Sequence, residues 1–302
     1  MTLKLLIPSS INKSNKSPSM TIYNFPKTIW ISWFQGLENA PDIVKYCYKS
    51  WVRRNPGWKV ILITDRNIKD YFDVESILPR ERKDISIQKR SNILRLGLLS
   101  RYGGVWVDAT CVCSKPLDDW IYMYLESGFF VFRDPGEDRT ISNWFIASTK
   151  DCHLTKAFYT EHMEYFARNR FIEPTKRNIK LTKFYISKFS FTLKRNRTDF
   201  WLSFFARKVL RIYPYYIFHY HFAYHVKRDK ASQKIFNRMP YFSADRSHYL
   251  QRLLRQRKNS KEALEHTKEA LEHTVAMKVP VHKLTYKNEA ITRKVLQGVF
   301  GV

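Results

Sequence analysis

The 302-residue chain carries 53 Lys and Arg against 27 Asp and Glu, a formal net charge of +26, with 44% hydrophobic residues. That hydrophobic share argues against a globally disordered chain, and the length allows one large domain or a domain with an elaboration. The charge favours anionic partners: phosphate-bearing ligands, an anionic membrane surface or nucleic acid.

The first 20 residues, rich in Ser, Asn and Lys, read as a flexible arm. Thr28-Ile-Trp-Ile-Ser-Trp33 reads as a buried strand, with Gln35-Gly36 as the turn after it. Asp42 to Arg54 suits a helix with apolar positions Ile43, Val44, Cys47 and Trp51, ended by Asn55-Pro56-Gly57. Lys59 to Thr64 is a second strand with Asp65 at its exit, and Ser86 to Tyr102 is a helix. Gly103 suits the left-handed position after a helix end. Val105-Trp-Val107 is a third strand, and 128–132 and 144–147 are further candidates. Strands alternating with helices predict an α/β fold with a largely parallel sheet over residues 21–165.

Beyond residue 165 the composition changes. Between Phe166 and Lys230 sixteen Lys and Arg face three Asp and Glu, a local charge of +13. Aromatic and basic residues interleave there, which predicts a helical region over 166–256 with breaks at Pro174 and Pro214. Lys261 to Thr267 is duplicated as Lys268 to Thr274, a helical pair of heptads within 257–276 that repeats a histidine as His266 and His273. Residues 277–302 close the chain. The four cysteines, Cys47, Cys111, Cys113 and Cys152, form neither a disulfide framework nor a CxxC pair, and Cys111 and Cys113 read as buried thiols. No signal peptide is apparent, and no apolar run reaches the roughly 18 residues of a membrane span, so a cytoplasmic protein is expected.

The stretch from Arg101 to Thr110 joins a helix end, a glycine pair, an apolar strand and a carboxylate at the strand's exit. A carboxylate there is well placed for a ribose or a metal-bound diphosphate. On the preceding helix Asn92 and Arg95 lie three apart and share a face, so Arg95 suits either a phosphate contact near Asp108 or an ordinary ion pair.

Four ordered blocks, Pro26 to Gly36, Asn55 to Lys59, Ser91 to Arg95 and Gly103 to Thr110, resemble the capsular polysaccharide synthesis glycosyltransferases. These are relatives of the DxD-motif sugar transferases that include yeast mannosyltransferases and the large clostridial toxins. The resemblance covers about residues 25–150 and resumes at Val279 to Thr285. It implies a GT-A (Rossmann-like) fold, a nucleotide-sugar donor of the UDP-linked type, and retention of anomeric configuration. It assigns donor contacts to Trp33, Gln35, Gly36, Asn92, Arg95, Gly104, Asp108, Ala109, Thr110, Lys283 and Lys287. Catalytic roles fall to Asp108, Arg95 and Asn143. Trp33 would stack on the base, while Trp30 points into the core.

The chain departs from the family pattern at two positions. Thr110 stands where the second Asp of DxD is expected, and Asn92 where relatives commonly carry Asp. A divalent cation, Mn²⁺ or Mg²⁺, would therefore rest on Asp108, Thr110 and His282 with diphosphate oxygens and waters. The basic aromatic region is expected to meet a lipid-linked saccharide acceptor at the inner face of the cytoplasmic membrane. Two other functions compete with transfer: nucleic-acid binding by the basic aromatic stretches, disfavoured by the lack of a recognised motif, and sugar-nucleotide binding without catalysis.

Overall fold

The computed structural model describes residues 25–256, except 174, 190, 191 and 193–196, together with residues 279–285. The N-terminal arm, the duplicated heptads with His266 and His273, and Lys287 lie outside the described residues.

Three five-residue strands, β1 (Thr28–Ser32), β2 (Lys59–Ile63) and β3 (Gly104–Asp108), form the parallel heart of a five-stranded sheet that β5 (Phe129–Gly136) and β6 (Arg139–Ser148) complete, in the order β2-β1-β3-β6-β5. Their Ile and Val side chains suit a pleated, two-sided core, and Ile29, Ile31, Ile63, Val105 and Val107 are all buried. α1 (Asp42–Arg54) crosses from β1 to β2, while short α2 (Ile68–Tyr71) and α3 (Val74–Ile77) lead into the long α4 (Ile87–Tyr102) before β3. β5 (Phe129–Gly136) and β6 (Arg139–Ser148) form a hairpin beyond β3. β6 runs antiparallel to both its neighbours, so it alone reverses the common strand direction. The largely parallel sheet expected from the sequence is thus present with one reversed strand, and its hairpin is longer than the two apolar runs that announced it.

α4 is buried on nearly all sides, including Ile93, Leu94, Leu96, Leu98 and Leu99. It lies between the sheet and α5 (His153–Ala167). Gly103 ends it at φ +70° and Gly104 follows at φ +93°. A Cβ on Gly104 would stand 2.5 Å from the Thr28 carbonyl oxygen, so the pair lets the chain turn tightly from helix to strand against β1. Trp30 is buried as expected, donating its indole N–H to the Gly103 carbonyl at 2.9 Å.

The Asn55-Pro56-Gly57 block is structural. Asn55 donates to the Trp51 carbonyl and accepts the Leu117 amide, tying the end of α1 to the chain beyond β4 (Cys111–Cys113). The region after residue 165 is helical, as predicted: α6 (Lys176–Lys188), a π-helical turn over Phe205–Leu210, α7 (Ile217–Arg228), α8 (Lys230–Arg238) and α9 (Ala244–Gln256). Tyr165, Phe166, Phe171, Trp201 and Tyr220 make a second hydrophobic cluster there, while α7 and α9 also pack on the sheet core. The chain returns as β7 (Val281–Lys283), antiparallel to β4, with Lys283 opposite Cys111 and His282 opposite Val112. All four cysteines are free and buried.

Candidate active site

The parallel strands deliver their carboxyl ends together. Ser32 stands in register with both Ile63 and Asp108, so Asp108 leaves the sheet beside the start of the Trp33 turn. In open α/β sheets ligands bind outside such strand ends.

Asp108 is held by three donors. Arg95 Nη2 and Trp106 Nε1 each lie 3.1 Å from Oδ1, and Lys283 Nζ lies 3.0 Å from Oδ2. The same ammonium donates to Thr110 Oγ1 at 2.8 Å. Arg95 is buried at 5% exposure. It also donates to the Asn143 carbonyl on β6, and its guanidinium lies over Trp106 and Phe218. Asn143 in turn donates from Nδ2 to Asn92 Oδ1 at 3.3 Å. Arg95, Asn92, Asn143, Asp108, Thr110 and Lys283 are therefore one hydrogen-bonded cluster drawn from α4, β3, the turn that follows β3, β6 and β7.

Burial works against the charged form of Asp108, but Lys283 and Arg95 outweigh it and hold the carboxyl at about 2. Burial likewise opposes the charge on Lys283, yet Asp108 raises that ammonium above its ordinary range. The site is ionised throughout neutral pH.

Lys283 reaches Asp108 because β7 is fixed from both sides. The Leu284 amide donates to the Thr110 carbonyl at 2.8 Å, and Gln251 Nε2 of α9 donates to the Leu284 carbonyl at 2.9 Å. Strand alternation turns His282 to the opposite face from Lys283. His282 is fully buried there, and burial lowers its imidazole to about 4.

The remaining assigned residues are spread around this cluster. Trp33 is half-buried just past β1, and its indole Nε1 has no hydrogen-bond partner among the described residues. Gln35 is exposed and Gly36 buried in the same turn. Ala109 is buried between Asp108 and Thr110. Gly104 starts β3, about 13 Å of strand from Asp108, and serves the close approach to β1 rather than the cleft.

Sequence reasoning passed over Lys89. It lies two helical steps of three before Arg95 on α4, and only 3% of it is exposed. It donates to the Tyr215 carbonyl and lies over the Tyr213 and Tyr215 rings. Burial, aided by the charge of Arg95, draws its ammonium down to about 7. The Lys89, Asn92, Arg95 spacing was the available signal.

The residues present do not fit the divalent cation that the resemblance implies. Among the described residues no group of three or more His, Cys, Asp or Glu converges. Asp108 Oδ2 and Thr110 Oγ1 both already accept from one ammonium.

Over residues 2–297 the chain matches the family described as capsular polysaccharide synthesis protein. An O-glycosyltransferase of Annulohypoxylon truncatum is 30% identical over 145 residues, 41% of this chain and 34% of that protein. An initiation-specific alpha-1,6-mannosyltransferase of Candida albicans is 28% identical over 146 residues, 43% of this chain and 38% of the other. The matched region thus spans little more than a third of these relatives. The UDP-bound glycosyltransferase domain from the YGT toxin is 10% identical and covers 90% of this chain and 97% of its own. Its TM-score is 0.39, a likeness too distant to carry an argument.

Proposed function

We propose, from the premise that the chain belongs to the capsular polysaccharide synthesis protein family, that it is a glycosyltransferase using a nucleotide-sugar donor. The observation that carries this reading is the Arg95–Asp108–Lys283 cluster at the carboxyl ends of the parallel strands. One carboxylate between two buried cations leaves a positive site, suited to a diphosphate.

The proposed chemistry is transfer with retention, the donor UDP-linked. The bond between the anomeric carbon and the diphosphate oxygen breaks, and its electron pair stays with the diphosphate. The acceptor hydroxyl forms the new C–O bond on the same face and passes its proton to the departing phosphate oxygen. Lys283 and Arg95 oppose the negative charge that develops there, a preorganised electrostatic role that needs no nucleophile. Asp108 holds both cations in place and offers its remaining lone pairs to a ribose hydroxyl. Trp33 supplies a flat face for the base, and Asn143 faces the transferred sugar.

Release of nucleoside diphosphate from nucleotide sugars tests this directly. The wild-type protein releases it slowly without an acceptor, and Asp108→Ala, still folded by circular dichroism, does not. Turnover of Asp108→Ala within about threefold of wild type would refute the assignment.

The acceptor in this reading is a lipid-linked saccharide or a growing polysaccharide of the cell surface, met at the inner face of the cytoplasmic membrane. Exposed Leu181 and Phe184 lie on α6 with exposed Lys180, Lys183 and Lys188, and exposed Phe204, Phe205 and Val209 lie at and just before the π-helical turn. Apolar side chains among cations suit an anionic headgroup layer, each Lys or Arg adding about 1 kcal/mol. Sedimentation with phosphatidylglycerol vesicles, reversed by salt and weakened by Phe204→Ser with Phe205→Ser, is the expected outcome. Equal binding to neutral phosphatidylcholine vesicles would count against it.

A further inference from the structure

We infer that Lys283 takes the place of a divalent cation: its ammonium receives the donor's diphosphate, and donor binding requires no metal ion. The inference rests on the transferase reading above.

Geometry is the first ground. A hard cation at the exit of β3 would take oxygen donors from Asp108 and Thr110. Lys283 Nζ already binds both, at 3.0 Å to Oδ2 and 2.8 Å to Oγ1. The other carboxylate oxygen is engaged by Arg95 and Trp106. A metal ion would have to displace Lys283, leaving a side chain only 15% exposed without its counter-charge.

Charge is the second ground. A dication is balanced by two carboxylates. Here residue 108 supplies one carboxylate and residue 110 a neutral hydroxyl, so the pair balances one ammonium. A dication added to this cluster would meet one negative charge and two positive ones, Arg95 and Lys283, at close range.

The third ground is preorganisation. Lys283 is carried on β7, paired to β4 and pinned through Leu284 to Thr110 and to Gln251. Backbone pairing sets the root of the side chain, and Asp108 and Thr110 set its tip. An ammonium has three N–H donors, and these two oxygens take two of them. The third has no partner among the described residues and is open to a phosphate oxygen. A cation fixed in this way does not have to be assembled during the reaction.

The test measures nucleotide binding rather than turnover. UDP and GDP are titrated by calorimetry in EDTA and again with millimolar Mn²⁺, with the Mn²⁺ electron paramagnetic resonance signal recorded in parallel. The wild-type protein is expected to bind its preferred nucleotide in EDTA, with Mn²⁺ changing Kd by less than about threefold. Lys283→Met should weaken binding by about tenfold or more, unrelieved by Mn²⁺, while Lys283→Arg keeps most of it. Thr110→Asp combined with Lys283→Met supplies two carboxylates and no ammonium, and should bind the nucleotide only with Mn²⁺. Should Lys283→Met fail to fold, the wild-type and Lys283→Arg titrations decide alone. Wild-type binding that appears only with Mn²⁺, accompanied by a protein-bound Mn²⁺ signal, overturns the inference and leaves the transferase reading standing. Absence of binding by either nucleotide in both buffers overturns the two together.

Discussion

Asp108→Asn removes one charge from the site while keeping its shape, and the structure sets the size of the effect. The carboxyl is held at about 2 instead of its ordinary 3.8, because Lys283 and Arg95 outweigh the cost of burial. At about 1.4 kcal/mol per pH unit, that preference of the folded state for the ion is worth about 2–3 kcal/mol. Since the folded value lies below the unfolded one, this stabilisation is complete above about pH 5 and is lost as pH falls toward 2. Asp108→Asn should therefore unfold in urea with about 2–3 kcal/mol less stability at pH 7, a deficit unchanged between pH 6 and 8. Against a total of about 5–15 kcal/mol the variant remains folded, so loss of transfer in Asp108 variants reports on the site rather than on collapse. The partner matters as much. Lys283→Met alone leaves Asp108 short of a counter-charge, whereas the double variant removes both, so the two losses should fall short of adding by about 1 kcal/mol or more. Stability of Asp108→Asn within about 0.5 kcal/mol of wild type at pH 7, or strict additivity in the cycle, would refute the account of the cluster.

Lys89 shifts stability with pH in the same direction as Asp108, over a higher range and as a penalty rather than a gain. Its ammonium, drawn down to about 7 by burial and Arg95, is disfavoured in the folded state. The penalty is complete below pH 7 and fades as pH rises toward 10. Lys89→Met should be about 1–3 kcal/mol more stable than wild type at pH 6, allowing for the lost bond to Tyr215, and the gain should shrink by pH 9. Melting curves at the two pH values check this, and an equal gain at both would rule out the charge as its source. Gly104→Ala, whose Cβ would meet the Thr28 carbonyl oxygen at 2.5 Å with φ at +93°, should lose about 2–4 kcal/mol in urea unfolding. A loss below about 0.5 kcal/mol would show that the turn from α4 to β3 relaxes freely.

The sheet and its helices were legible because each block carried its own local pattern. Thr28 to Ser32 and Lys59 to Ile63 are short apolar runs between turn residues, and Asp42 to Arg54 repeats its apolar face at helical spacing. The reversed direction of β6 had no such mark, since direction depends on the partner strand. Lys89 was missed because lysine is seldom buried, and its aromatic cover comes from Tyr213 and Tyr215, more than 120 residues on. The pairing of β4 with β7 joins two three-residue strands, each too short to show a period.

That last gap explains how the metal expectation arose. From the sequence, Asp108 and Thr110 are two oxygen-bearing residues in need of a cation, and Lys283 is a separate basic residue near the far end of the chain. The contact between Lys283 and Asp108 spans 175 positions. Only the fold brings the Lys283 ammonium within hydrogen-bond distance of both. Electroneutrality in a buried site is a sum over neighbours in space, so a lost carboxylate at position 110 cannot be read as a weakened metal site until the neighbouring charges are known. Here one carboxylate fewer is matched by one monovalent cation in place of a divalent one, and with Arg95 beside it the cluster keeps the net positive charge that suits a diphosphate.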